Sequence, residues 1–288
     1  MVERRRWRRI LHSLRRHPLL TIGLFIVVGI VLVTVLSQYE WFTPYSPTMY
    51  RDAPRLEGPS CAHWMGTDHL QRDVFSRVIS GGMASLIVAF TAVAISISVG
   101  AVVGWISGFS GGWLDRGLSL TMDALYSFPS MILAIVLVAL FGAGLQPMIW
   151  SVTIVYIPTY FRVARAEVLR VRETTYVEAA RAIGASNTRI VARHVAPNTV
   201  NALMAVSSFN LADAILTVAA LSFLGYGLKP PAPDWGFDIQ NGQKFLQSGS
   251  WWLITFPGLA IITLSLGFGL IGEGISDLVN PKRKRKKV

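Results

Sequence analysis

The sequence has few charged residues and a single cysteine. Charged residues make up 15% of the chain, against roughly 25% in soluble globular proteins, and apolar residues make up 52%. This composition excludes an ordinary soluble enzyme and a disordered chain. Cys61 has no second cysteine in the chain to pair with, which excludes a scaffold held by internal disulfides. We assign Cys61 no role.

Motifs for catalysis and for cofactor binding are also missing. The chain has no G-x-x-x-x-G-K-[ST] loop, so it cannot bind ATP by that route. His63 and His69 lie six residues apart without nearby cysteines or a closed set of carboxylates, which is weak evidence for a metal site. An intramembrane enzyme would need a nucleophile with its base, or a metal set, within the bilayer. Apart from a Ser–Asp arrangement, which inspection leaves open, we expect no catalytic residue, metal or cofactor in this chain.

The net charge of +11 lies at the two ends of the chain. Residues 3–16 carry seven arginines against one glutamate, and residues 282–287 are all Lys or Arg. A nucleic-acid-binding protein would spread its basic residues over a face with interleaved aromatics. Cationic tails beside apolar segments instead fit the anionic headgroups of a lipid bilayer. We therefore expect a membrane partner and no nucleic acid.

The apolar segments predict six membrane spans. Residues 18–38 carry no charge and as a helix would reach about 30 Å, the thickness of the hydrocarbon core. No A-x-A-like cleavage site follows, so this segment is predicted to be an uncleaved anchor. The other predicted spans are 83–106, 118–142, 147–161, 199–225 and 251–275.

The basic segments fix the orientation of these spans. Alternation places the tails 1–17 and 281–288 on the same side as the loop 162–198, which carries seven arginines against three glutamates. Basic loops face the cytoplasm, so both termini are predicted to be cytoplasmic and residues 39–82 extracytoplasmic. The expected fold is an all-α membrane protein in which residues 83–280 form a five-helix core. The fourth span is short, so either Arg162 snorkels or the helix projects into the cytoplasm.

Residues 175–198 predict two short amphipathic helices in the large cytoplasmic loop. Residues 176–183 favour a helix that Gly184 can end in the left-handed conformation. Ser186 or Asn187 can cap a second helix, 188–195, which Pro197 would end. Each helix has one apolar face, comprising Val177, Ala180 and Ile183, then Ile190, Val191 and Val195. Such a pair is either a connector that rests on the base of the protein or a docking element for a soluble partner.

This loop resembles the EAA loop of ATP-binding-cassette importer permeases. Glu178-Ala179-Ala180 is followed by Gly184 six residues after the glutamate and by Pro197 thirteen residues later. The usual Leu-Pro ending is Ala196-Pro197 here. The resemblance implies a coupling helix that sits in a cleft of an ATPase subunit. The residues it assigns to coupling are Glu178, Ala179, Ala180, Gly184, Ala185, Ser186, Arg189 and Pro197.

Further stretches resemble the second permease of the dipeptide, oligopeptide and nickel branch. They are His63–Asp68, Arg72–Arg77, Gly111–Arg116, Phe128–Ser130, Leu221–Gly227, Pro230–Gly236, Gly272–Asp277 and Asn280-Pro281. The chain departs from that pattern at Gln71, where glycine is usual, and at Met83, where arginine is common.

The resemblance implies a type I importer permease fold in a bacterial inner membrane. It also implies a related permease in a heterodimer, two ATPase subunits that bind ATP and Mg²⁺, and an extracytoplasmic binding protein. The function would be ATP-driven import of peptides or similar small solutes. Nickel or another small solute stays open as cargo.

Several residues within the predicted spans have two interpretations. Asp213 and Asn210 in span five, and Asp123 near the cytoplasmic end of span three, either pair helices or line a translocation pathway. Pro129 and Pro158 either kink their helices or act as hinges. Gly100 and Gly104 offer close packing on span two. Outside the spans, a salt-bridged cap is predicted from Asp68, Arg72, Asp73 and Arg77.

Overall fold

The computed structural model describes residues 17–39, 41–49 and 53–279, which are mostly helical and contain no strand. Almost all of the two predicted basic tails lies outside these residues. The helices are α1 (Pro18–Leu36), α2 (Val74–Ser110), α3 (Gly112–Tyr126), α4 (Ser130–Phe141), α5 (Leu145–Val171), α6 (Thr175–Ala182), α7 (Asn187–Ile190), α8 (Ala196–Leu221), α9 (Trp235–Gly242) and α10 (Trp252–Val279). Two π-helical turns, Val191–Val195 and Ser222–Tyr226, lie before and after α8.

Four described helices are long and apolar enough to cross a bilayer, namely α1, α2, α8 with its π-helical turn, and α10. The pair α3 and α4 makes a fifth if the two form one broken span. The predicted fourth span corresponds to α5, which extends ten residues beyond residue 161 and is still packed against α2 at Val168. Helix α5 is less apolar because it carries polar side chains such as Thr153 and Tyr160. These side chains are buried by protein. A helix surrounded by other helices needs no lipid-facing surface.

The third predicted span is not one straight helix. Helices α3 and α4 are bent by 90° at Ser127-Phe128-Pro129. Proline lacks a backbone N–H and disfavours the helical conformation in the residue before it, and Pro129 is the N-cap of α4. Pro158, in contrast, lies buried inside α5 without ending that helix. The break expected at Pro129 is thus a 90° bend, whereas a single span over 118–142 stays a prediction.

Helices α2 and α5 form the centre of the bundle and approach through glycines. A Cβ built on Gly100 would lie 2.7 Å from the carbonyl oxygen of Ile157, and one on Gly104 would lie 2.6 Å from that of Phe161. Helix α1 packs on α10 in the same way, since Gly23 faces the carbonyl oxygen of Gly267. The close packing predicted for Gly100 and Gly104 is confirmed.

The predicted outer cap is a buried network, and one of its members, Asp238, lies outside the predicted set. Asp68 pairs with Arg72 at 2.6 Å. The buried guanidinium of Arg77 pairs instead with Asp238 on α9, at 2.6 Å, and also donates to the carbonyl oxygens of Pro47 and Pro231. These backbone acceptors satisfy donors that would otherwise be buried without a partner. The network ties α2 to α9, to the segment before α9 and to Pro47.

Candidate functional site

The loop 175–197, which we term the docking loop, begins with a helix whose end is defined by hydrogen bonds. The N–H of Gly184 donates to the carbonyl oxygen of Arg181, and the N–H of Ala185 donates to that of Ala180. Gly184 has a φ of 83°. These bonds form a Schellman motif, in which a left-handed residue ends the helix and two apolar side chains meet across the turn. The spacing Ala180, Gly184, Ala185 thus encodes a sharp bend, and the predicted helix end at Gly184 is confirmed.

The second helix of the docking loop also begins as predicted but does not end as predicted. The hydroxyl of Ser186 accepts the N–H of Arg189 at 3.4 Å, which caps α7. The chain then continues through the π-helical turn into α8, and Pro197 lies in the first turn of α8. The prediction that Pro197 ends this helix is wrong. Proline is tolerated in the first turn of a helix, because a backbone N–H at that position would have no partner within the helix.

The inner face of the docking loop is fixed to the base of the bundle. Its side chains pack in an apolar cluster with the end of α5, and the cluster comprises Val168, Val171, Val177, Ala180, Ile190 and Val195. Just before the loop, Arg172 joins the ends of α5 and α2 by donating to the carbonyl oxygen of Gly108 at 2.9 Å. Within the loop, the guanidinium of Arg181 lies 5.1 Å from the ring centroid of Phe109 on α2. The loop is thereby attached to the ends of both central helices.

The outer face of the docking loop is exposed. Glu178, Ala179, Gly184, Ser186, Arg189 and Pro197 are exposed, whereas Ala180 is buried and Ala185 is half-buried. Ile183 was predicted on the apolar inner face but is 86% exposed. It is the C-cap of α6, where the chain turns away from the cluster. The exposed face therefore carries one large apolar side chain, Ile183, among charged, polar and small residues.

A cavity opens between α4, α5 and α8 at the level of Asp213. It encloses about 780 Å³ including space open to solvent. The hydroxyl of Tyr156 donates to Oδ2 of Asp213 at 2.7 Å, so Asp213 pairs helices as well as lining the cavity. Its lining residues are Leu125, Tyr126, Phe128, Ser130, Leu133, Val155, Tyr156, Thr159, Asn210 and Asp213.

Asp123 does not line this cavity. It accepts a hydrogen bond from Arg162 at 2.7 Å, and both side chains are substantially exposed. The guanidinium of Arg162 also lies 3.9 Å from the ring centroid of Tyr126. Of the two interpretations of Asp123, the structure therefore supports helix pairing, here between α3 and α5.

The sequence did not predict the hydrogen-bond partner of Asp213, the ion-pair partner of Arg77 or the exposed position of Ile183. Tyr156 was not singled out, although a tyrosine on a buried helix needs a partner for its hydroxyl. Asp238 lies 161 residues from Arg77, and no local pattern links them. The exposure of Ile183 follows from its place directly before a left-handed glycine, which is the signal that could have revealed it.

The two outer histidines take separate structural positions. The ring of His63 contacts Asp73 at 2.9 Å, and His69 stacks on Phe245. Burial lowers the pKa of His69, which favours the neutral ring. Among the described residues, no group of three or more His, Cys, Asp or Glu side chains could hold a metal ion.

Two family models match this chain. Residues 100–285 match the model of the binding-protein-dependent transport system inner membrane component. Residues 5–59 match the N-terminal transmembrane domain of oligopeptide transport permease C. The first match covers α3 to α10 and the whole docking loop.

Similar proteins include three transport permeases. The dipeptide transport system permease protein DppC of Alkalihalophilus pseudofirmus is 36% identical over 96% of this chain and 90% of its own length. The glutathione transport system permease protein GsiD of Pectobacterium atrosepticum is 37% identical over the same shares. The probable D,D-dipeptide transport system permease protein DdpC of Escherichia coli is 36% identical over 97% of this chain and 93% of its own length.

The fold is similar to that of a solved transporter. A chain of the MetNI methionine ABC transporter, in an inward-facing conformation, aligns with a TM-score of 0.58 at 20% identity. The alignment covers 71% of this chain and 96% of that one. At this identity the likeness shows the fold alone.

Proposed function

Because the chain belongs to the family of binding-protein-dependent transport system inner membrane components, we propose that it is one permease of an ATP-driven importer in a bacterial inner membrane. The family and the named relatives are transport permeases, so the chain is a transport subunit and not an enzyme. Partner subunits bind ATP and Mg²⁺ and hydrolyse the nucleotide. A related permease and an extracytoplasmic binding protein complete the importer.

The two-faced docking loop is the observation that carries this proposal. Its inner face is fixed to α5 by an apolar cluster and to α2 by the contact of Arg181 with Phe109. Its outer face presents Ile183 and charged side chains of both signs. A loop that is held to the bundle by one face and exposes the other fits a partner subunit that binds the exposed face. Closure of the ATPase subunits would displace the loop and move the central helices with it.

The proposed topology has six spans with both termini in the cytoplasm. Helices α1, α2, α5, α8 and α10 give five spans, and the bent pair of α3 and α4 gives the sixth. The polar α5 is compatible with a span because α2 and α8 cover it. The break at Ser127–Pro129 is proposed as a hinge, since the backbone there makes a 90° turn. Pro158 is not part of this proposal, because α5 continues through it.

The proposed cargo is a small peptide. The three relatives are named for a dipeptide, for glutathione and for a D,D-dipeptide. Asp213 and Asn210, which line the cavity together, are proposed to lie on its route. The pathway would receive cargo from the binding protein at the outer end of the bundle and release it at the end that carries the docking loop.

Substitution of Glu178 tests this function. Glu178→Lys reverses an exposed charge in the first turn of α6, so the complex should insert and hydrolyse ATP while uptake of peptide per ATP hydrolysed falls at least about tenfold, as expected when a contact worth about 1.4 kcal/mol is lost. Uptake is measured in proteoliposomes that contain the whole importer and its binding protein. Glu173→Lys, at an exposed position before α6, is the matched control. Normal coupling in Glu178→Lys would contradict the proposal.

A further inference from the structure

Asp213 is the only charged residue among those that line the cavity. It lies within α8, well away from both ends of that helix, and is itself exposed to the cavity. No described Lys or Arg forms an ion pair with it. A carboxylate within a span costs several kcal/mol unless it is paired or hydrated, and a cavity of about 780 Å³ supplies room for water and for a ligand. Asp213 therefore gives the lining its one acidic group, while Arg162, stacked on Tyr126, is not itself among the lining residues.

The surroundings of Asp213 favour an organic cation over a metal ion. Aromatic side chains line the cavity, namely Tyr126, Phe128 and Tyr156, and ring faces attract ammonium groups. One face of Tyr126 is already covered by the guanidinium of Arg162, so the rings offered to an ammonium group are those of Phe128 and Tyr156. The Tyr156 hydroxyl occupies one lone pair of Oδ2, which holds the carboxylate in place and leaves it further acceptor positions. A divalent metal needs a larger set of oxygen or nitrogen ligands, and the described residues contain no such group.

We propose that Asp213 binds the primary ammonium group of a substrate as it passes through the cavity. This inference rests on the proposed function and adds a chemical class to it, since peptides with an unmodified amino terminus carry such a group. The carboxylate would be a transient binding site for the ammonium group within the span. The same charge would repel substrates that are anionic and lack an ammonium group.

The charge of the cavity can be measured without any substrate. Thr159 lines the cavity on α5, so Thr159→Cys in a Cys61→Ser background places a single thiol of this chain there. The thiol is labelled in membranes that hold the whole importer, with a trimethylammonium or a sulfonate methanethiosulfonate reagent of similar size. Asp213→Asn should lower the ratio of cationic to anionic labelling rates about tenfold, at the low end of what a focused field produces.

The native thiol supplies the matched control for this measurement. Cys61 is exposed outside the cavity, so its labelling ratio should be the same in the wild-type chain and in the Asp213→Asn variant. A ratio at Thr159→Cys that does not respond to Asp213→Asn would overturn the proposal. So would a thiol that neither reagent can reach, because the cavity would then be closed to ions.

Uptake separates ligand binding from a merely structural pairing of helices. Radiolabelled alanyl-alanine, supplied with the binding protein, should enter proteoliposomes about tenfold more slowly with Asp213→Asn. Asp213→Glu should restore most of the rate, and Tyr156→Phe should lose less than threefold, because the carboxylate remains. Equal losses in Asp213→Asn and Tyr156→Phe would show that only the helix pair matters, which contradicts the proposal. If the wild-type importer takes up no peptide, the proposed function fails, and the thiol labelling still decides the charge of the cavity.

Discussion

At the residue scale, Gly184 determines the shape of the docking loop. Its φ of 83° and its N–H bond to Arg181 both exclude proline, whose φ is fixed near −65° and which has no N–H. Gly184→Pro should therefore release the Schellman turn, and the ATPase subunits should no longer copurify with the permease. Gly184→Asn is the control, because asparagine tolerates the left-handed conformation. Retention of the ATPase subunits by Gly184→Pro would show that the turn is not needed for docking.

Gln71 is a second left-handed residue, with a φ of 62°, at a position where the resemblance expects glycine. The left-handed conformation destabilises a folded protein by about 1–2 kcal/mol when the residue is not glycine. Replacement by glycine removes this strain, but the greater freedom of glycine in the unfolded chain lowers the stability again by about 0.4–1 kcal/mol. Gln71→Gly should raise the free energy of unfolding slightly, by under about 1 kcal/mol. Gln71→Val should lower it, since β-branched residues tolerate this conformation least. Thermal unfolding in detergent checks this order, and the reverse order would contradict it.

At the scale of elements, the α2–α5 contact depends on missing side chains. Gly104→Ala would place a methyl group 2.6 Å from the Phe161 carbonyl oxygen and should lower stability by about 1–3 kcal/mol, the usual cost of overpacking. Gly29→Ala on α1 meets nothing within 4 Å and should be neutral. Thermal midpoints of the purified importer check this pair. A destabilised Gly29→Ala with a normal Gly104→Ala would contradict the packing.

Helix existence was predictable from the sequence to different degrees for different elements. Long apolar runs revealed α1, α2, α8 and α10, because length and hydropathy suffice for lipid-facing helices. The extent of α5 and the bend before α4 were less clear. The extent of α5 depends on its burial by other helices. The angle of the bend at Pro129 depends on the contacts that α3 and α4 make with the rest of the protein. Within the docking loop, the turn at Gly184 was predictable because its hydrogen bonds are local. The pairs Tyr156–Asp213 and Arg77–Asp238 were not, since they join residues far apart in the chain.

At the scale of the whole molecule, the orientation in the membrane is the main expectation still to be measured. Ser186→Cys in a Cys61→Ser background places a thiol on the exposed face of the docking loop, where a membrane-impermeant reagent added to intact spheroplasts should label it only after permeabilisation. The native Cys61, predicted outside, should be labelled at once. Labelling of the loop thiol from the outside would reverse the topology and remove the basis for ATPase docking.

The unbroken course of α5 has a consequence for how motion is shared. Tyr156 at the cavity and Val168 in the cluster under the docking loop lie on one helix, about 18 Å apart at 1.5 Å per residue, and buried Pro158 does not interrupt it. Because the helix is uninterrupted between these two residues, we expect a displacement of the docking loop to be transmitted along α5 to the cavity. Two glycines inserted between residues 165 and 166 would rotate the rest of α5 by about 200° and take Val168 out of its cluster, so uptake of peptide per ATP hydrolysed should fall.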